Sequence, residues 1–335
     1  MQRNGIRLLA PVALAAVATV GLSVLGGASA QADTPGTAQL VTIDQQGDLE
    51  HTVRSANGAW QPQLGQLSGY HNVSALTSVI RAGEDNIFVQ YDNGSGPQLG
   101  HLVRHADGTW DTAAQTPPTR AAAQELSVTS INGRLALVRL DASGTPEAAE
   151  ENDAYGNFGQ WYPVPTDGHK LRSIAAAGVG ASTTLRVVEL TDDGKSIGVA
   201  DGSLGGWTTG RWTPSTSNPN LSATRVAAAQ VAGQLQVADV VKSDTNADAI
   251  PSVWHGILGD AGWSGFNSVP GVYGRPYHVA MTAAGNDMQL AYTTEDGGLF
   301  HTVRHTADGS WQQDAAMVPG SANKALGGWV SIAGV

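Results

Sequence analysis

Three stretches of this chain repeat the same chemistry-bearing residues. Gly47 to Arg54 reads Gly-Asp-Leu-Glu-His-Thr-Val-Arg, Leu99 to Arg104 reads Leu-Gly-His-Leu-Val-Arg, and Gly298 to Arg304 reads Gly-Leu-Phe-His-Thr-Val-Arg. Each is followed by Gly-x-Trp, at Gly58 to Trp60, Gly108 to Trp110 and Gly309 to Trp311. An indole face stacks on the C–H face of a pyranose, and a guanidinium offers a planar fork of donors to hydroxyls. The candidate binding residues are therefore Trp60, Trp110, Trp311, Arg54, Arg104, Arg304, His51, His101 and His301. On an extended strand His51 and Val53 share one face while Arg54 lies on the other, so the His and Arg of one repeat serve different grooves. The competing role for the same residues is packing: a repeated Trp can wedge neighbouring units, and a His beside Leu49 and Val53 can be a satisfied core histidine. Because His and Arg are lost in the middle of the chain, two or three sites are expected rather than six.

Other chemistries find little support. Without cysteine there is no disulfide, thiolate metal site or Cys nucleophile. H-E-x-x-H and G-x-S-x-G are absent, Gly194-Lys195-Ser196 lacks the preceding glycine of a P-loop, and Ser321-Ala-Asn-Lys324 is a lone S-x-x-K. Asp244-x-Asn246-x-Asp248 opens like a calcium loop, but Ala249 and His255 stand where glycine and glutamate are needed. The adjacent acids Glu150-Glu151 and Asp192-Asp193 do not make a glycosidase pair, whose carboxylates face each other about 5 to 9 Å apart. The Asp-Gly-x-Trp boxes at Asp107 and Asp308 lack the full Ser-x-Asp-x-Gly spacing of sialidase-type propellers. No metal, no cofactor and no catalytic residue is expected.

The elements that position these residues follow from composition and repetition. Of 335 residues 41% are hydrophobic and 14% charged, enough apolar material for a core and too little charge for a solvated disordered chain. A net charge of −11 argues against nucleic acid or an anionic membrane as partner. Residues 1–32 have the order of a secretory signal peptide: basic Arg3 and Arg7, an apolar run from Leu8 to Leu25, then small residues with cleavage expected after Ala30 or Ala32. Residues 33–335 are expected to form one exported domain, with no membrane insertion.

Six tryptophans, Trp60, Trp110, Trp161, Trp212, Trp263 and Trp311, are spaced 50, 51, 51, 51 and 48 residues apart. A period near 50 held along the chain means repeated supersecondary units. Within a unit, short alternating stretches such as Ser74 to Arg81, Ile87 to Tyr91 and Leu99 to Val103 are separated by Gly, Asp and Asn turns, which predicts four strands per unit. Ala38 to Ile43 matches the second strand of the last repeat, and Trp329 to Gly334 matches first strands. The expected fold is all-β, a six-bladed β-propeller of four-stranded antiparallel blades, its ring closed by N- and C-terminal strands in one blade.

The Gly-x-Leu-x-His-x-Val-Arg stretch, the Asp-Gly or Asn-Gly turn and the Trp together resemble the repeats of tectonin-like and fucose-lectin-like β-propellers. The resemblance spans the chain after residue 32 and is sharpest around Trp311, Trp60 and Trp110. It implies glycan or cell-surface polysaccharide binding in clefts between blades. A secreted, acidic, cysteine-free propeller is also similar to lectin subunits of bacterial umbrella toxin particles, which implies other subunits of a secreted complex as partners. The alternative is a secreted hydrolase of glycans or lactones, with its catalytic group at the central channel.

Overall fold

The computed structural model describes residues 35–335 apart from 68, 113–115, 119, 153–156, 179–183, 204–205 and 325–327. The expected leader, 1–32, lies outside the described residues. Among the described residues there is no helix, and the strands form six antiparallel sheets. From the innermost strand outward, blade 1 is Val330–Gly334, Ala38–Ile43, Leu49–Arg54 and Gly65–Leu67. Blade 2 is Val73–Arg81, Glu84–Asp92, Pro97–Arg104 and Trp110–Thr112. Blade 3 is Ala123–Ile131, Arg134–Asp141, Pro146–Glu150 and Tyr162–Pro163. Blade 4 begins Leu171–Gly178, Leu185–Thr191 and Ser196–Ser203, and blade 5 begins Leu221–Val231, Gln234–Ser243 and Ser252–Gly259. Two short strands pair with the third strand in each of these blades. Blade 6 is Pro276–Ala284, Asp287–Thr294, Leu299–Arg304 and Ala316–Met317. The expected six-bladed ring and its closure through blade 1 are both present, with Leu40 opposite Ile332.

Local sequence explains the hairpins. Ala82-Gly83, Asn132-Gly133 and Ala232-Gly233 turn the chain between first and second strands with positive φ at both residues, the geometry that matches strand twist. Packing then explains the ring. Six hydrophobic clusters form, each shared between two adjacent blades, so every blade interface is its own small core. Sheet faces that alternate apolar residues have no other way to leave water than to lie on the next blade.

The innermost strands would expose N–H groups towards the axis. Neighbouring side chains accept them: Val128 N–H donates to Thr77 Oγ1 at 3.0 Å, Ala176 N–H to Ser127 Oγ at 2.8 Å, and Ser78 N–H to Ser331 Oγ at 2.7 Å. These bonds cross from blade to blade and satisfy the strand edges. They enclose a narrow channel of about 70 Å³ lined by Leu76 to Ser78, Ile174 to Ala176 and their counterparts. Five innermost strands bulge near their first residues, with Ser74, Gln124, Arg172, Thr224 and Tyr277 as the unpaired extra residues.

Candidate functional site

The third and fourth strands of a blade set the repeated Arg against the repeated Trp. Arg54 is paired with Trp60, Arg104 with Trp110 and Arg304 with Trp311, so each Arg and Trp share one face of their hairpin. The turn between them favours glycine by its backbone conformation, and the guanidinium packs close over it. At Gly58, Gly108 and Gly309 φ is positive, and an added Cβ would stand 3.0, 3.3 and 2.9 Å from the guanidinium of the preceding Arg. The guanidinium therefore lies over the turn, held beside the indole.

The His of the same blade lies on the opposite face and meets the next blade. His51 of blade 1 is edge-on to Trp110 of blade 2 at 5.0 Å, and His301 of blade 6 to Trp60 of blade 1 at 5.2 Å. Each of these two clefts thus combines the His of one blade with the Arg and Trp of the following one. Three consecutive clefts carry the full set: His255 with Arg304 and Trp311, His301 with Arg54 and Trp60, and His51 with Arg104 and Trp110.

The histidine rings are buried, His51 at 7%, His101 at 4% and His301 at 3% exposure. Their Nε2–H groups donate to Gln39 at 3.0 Å, Asn86 at 3.1 Å and Gln289 at 2.9 Å. Burial and the facing arginines hold His51, His255 and His301 down to about 3, so the rings are neutral. His101 stacks on Phe88 at 4.1 Å. Arg104 is buried at 4%, with Asp85 opposite it on the second strand, and burial raises the Asp85 carboxyl to about 7 against the pull of Arg104. Trp60, Trp110, Trp311, Arg54 and Arg304 are half-buried. Trp110→Ala is expected to cost about 2–4 kcal/mol, read as a lower urea midpoint, because the ring fills the space between two blades.

The middle blades depart from the Gly-x-Trp pattern expected of the repeat. Strand pairing puts Phe158 opposite Glu151 in blade 3 and Trp207 opposite Gly202 in blade 4; these, not Trp161 and Trp212, occupy the place of Trp110. A local Gly-x-Trp survives a slip of several residues, so spacing alone did not separate them. Trp161 instead takes Arg139 over its ring at 5.1 Å and donates to Pro118 O. Glu151 inverts the charge of the Arg position and pairs with Arg81 of blade 2. In blade 5 His255 keeps the His position and Leu258 replaces Arg, a copy legible as Val253-x-His255-x-Ile257.

A wide cleft opens where the repeat is broken. Between blades 4 and 5, Val199 and Leu258 replace His and Arg, and a pocket of about 490 Å³ is lined by Arg186, Arg211, Trp212, Gln234, Asp260 and Trp263. Arg186 donates to Asp201 Oδ1 at 3.0 Å, and Arg211 binds the other oxygen of the same carboxylate. Trp263 Nε1–H reaches Arg211 O at 2.9 Å, tying the two walls. Arg211 has φ 56°, a left-handed conformation that a non-glycine residue adopts only where its surroundings impose it. Two indoles, two guanidiniums and one carboxylate around an open volume suit a polyhydroxylated ring. Among the described residues no cluster of three His, Asp or Glu is placed to hold a metal, and Asp244 of the calcium-like loop is bound by Lys195 and Ser222.

No protein-family model matches the sequence, and no curated protein matches it. Among solved structures, AofleA from Arthrobotrys oligospora aligns over 90% of this chain and 90% of its own, with a TM-score of 0.59 and 13% identity. The Aleuria aurantia lectin, a fungal lectin with a six-bladed β-propeller fold and a fucose recognition mode, aligns over 86% and 93%, with a TM-score of 0.59 and 14% identity. An α-L-arabinofuranosidase from Clostridium thermocellum aligns over 75% and 94%, with a TM-score of 0.50 and 14% identity. By architecture, then, the chain is a six-bladed β-propeller that shares the fold of the Aleuria aurantia lectin.

Proposed function

We propose that this is an exported carbohydrate-binding protein that holds glycans in clefts between blades. The observation that carries the reading is the pocket of about 490 Å³ between blades 4 and 5, within the usual range of ~300–1,000 Å³ for ligand sites and walled by Trp212, Trp263, Arg186 and Arg211. The three Arg–Trp–His clefts present half-buried indoles of the same kind and are the candidate additional sites. The fucose recognition of the Aleuria aurantia lectin and the leader-like order of residues 1–32 support glycan binding and export respectively.

Binding is favoured over hydrolysis by the channel lining, in which Glu125 is the one acid among the described residues; a glycosidase uses a carboxylate pair. The test is a glycan array on the protein without its leader, followed by titration of intrinsic Trp fluorescence. A saturable response that falls at least tenfold in Trp263→Ala or Arg211→Ala is expected. A response lost in Arg104→Ala instead moves the site to the cleft between blades 1 and 2, and no binding across the array overturns the reading. Membership of a larger secreted assembly predicts a high-mass particle in culture supernatant, and elution as a lone chain of 34.5 kDa or less counts against it.

A further inference from the structure

A second cavity, separate from the clefts between blades, opens where the innermost strands begin. It measures about 570 Å³ and spans blades 3 to 6 at the level of their bulges, with the bulged residues Gln124, Arg172, Thr224 and Tyr277 in its wall. Bulges re-aim side chains, and here they turn one residue per blade towards a common space.

The charge around this space is opposite to that of the chain. In a protein of net charge −11, Arg172, Arg225 and Lys242 converge on one cavity, and no carboxylate lies within 4.0 Å of any of them among the described residues. Arg172 and Arg225 use part of their donor capacity on Ala223 O at 3.2 Å and Thr224 O at 2.9 Å. The acids that act on Arg172 and Lys242 from outside are otherwise engaged: Asp193 accepts from Lys195 N–H at 2.9 Å, and Asp244 pairs with the Lys195 ammonium. Glu295, the acid in the wall, is paired with Arg275 at 2.6 Å.

Arg225 stands at the junction between cavity and channel and is fixed there. Its guanidinium lies 5.9 Å from the Trp329 ring, and His278, buried and 4.1 Å from the same ring, accepts from Arg225 Nε at 3.5 Å. Glu125, beside it in the channel, accepts from Ser173 Oγ at 3.0 Å and Ile174 N–H at 2.8 Å. The same cavity is also lined by apolar Pro251 and Pro276 and by the ring of Tyr277, which is 42% exposed. Arg172, Arg225 and Lys242, none of them in a direct ion pair and with Glu125 acting on Arg225 from the channel side, stand beside an aromatic and two prolines and match a ligand with one anionic group and an apolar ring face.

We propose that this mouth of the central channel is a second binding site, for an acidic saccharide whose carboxylate sits among Arg172, Arg225 and Lys242 while its C–H face rests on Tyr277. The test is calorimetric titration of the protein at pH 7 and low salt with a galacturonate trimer, its neutral galactose counterpart and inorganic phosphate. The uronate is expected to bind at least tenfold more tightly than the neutral sugar and than phosphate. Lys242→Gln, at an exposed position, and Tyr277→Ala are each expected to weaken it at least fivefold, and Arg225→Gln more. Trp263→Ala, in the cleft between blades 4 and 5, leaves it unchanged, so this site and the glycan clefts succeed or fail separately. Equal binding of charged and neutral trimers, or no effect of Lys242→Gln and Tyr277→Ala, overturns the proposal. Phosphate binding as tightly as the uronate also overturns it, leaving a simple anion site.

Discussion

Deletion of residues 330–335 is expected to abolish the cooperative native fold, seen as loss of a sigmoidal urea transition and a rise in dye-accessible apolar surface. Val330–Gly334 is the innermost strand of blade 1 and pairs with Ala38–Ile43, nearly three hundred residues earlier in the chain. Val330 and Ile332, 5% and 3% exposed, belong to the wall against blade 6 and the channel, and Ala333 is 1% exposed. Ser331 Oγ accepts the Ser78 N–H of blade 2, so the strand also satisfies its other neighbour. At ~1.5–3 kcal/mol for each large buried aliphatic side chain, plus the exposed edge of Ala38–Ile43, the loss approaches the ~5–15 kcal/mol that holds a domain folded. A deletion variant with an unchanged midpoint would show that the ring closes without this strand.

Stability should also fall steeply below pH 4 and more gently above pH 7. His51, His255 and His301 titrate at about 3 in the fold, and His278 well below its ordinary value, because burial removes the charged ring from water. The unfolded chain protonates these rings near 6.5, so their contribution is whole above that pH and is lost as pH falls towards 3. Buried acids act in the opposite sense. Burial raises Asp85 and Glu125 to about 7 and Glu189 to about 8, so the fold keeps protons that the unfolded chain releases near 4. Their contribution is whole below about pH 4 and is lost as pH rises through 7 to 8.

Between about pH 4.5 and 6.5 the two sets oppose each other, and the urea midpoint is expected to be highest and nearly flat there. Below pH 4 the acids no longer compensate, and each histidine contributes about 1.4 kcal/mol per pH unit. His301→Gln, which keeps a polar partner for Gln289, is expected to shallow the acid limb by one such increment. A midpoint that stays level from pH 4 to pH 3 contradicts the buried neutral state of these rings.

How much of this was legible beforehand depended on whether the determining contacts are local. Period-two alternation placed His51 and Arg54 on opposite faces, and the structure puts them in different clefts, Arg54 facing His301 and His51 facing Arg104. Complementary first and second strands at the two ends of the chain foretold the closure of blade 1, because strand type is written in a few adjacent residues. The same locality misled in blades 3 and 4, where Phe158 and Trp207 stand at the paired position in place of the Trp of the Gly-x-Trp triplets.

Repeat length and matching strand types in the amino-acid sequence specified the number of blades and the closing pair, and the pleat put His51 and Arg54 on opposite faces. Tertiary structure alone decided where space remains. Arg186 and Trp263 meet across a cleft because two blades pack, and Arg172, Arg225 and Lys242 converge because bulges in successive inner strands turn them to one mouth. A cavity belongs to no segment: it is what is left when surfaces distant in sequence fail to fill the volume between them.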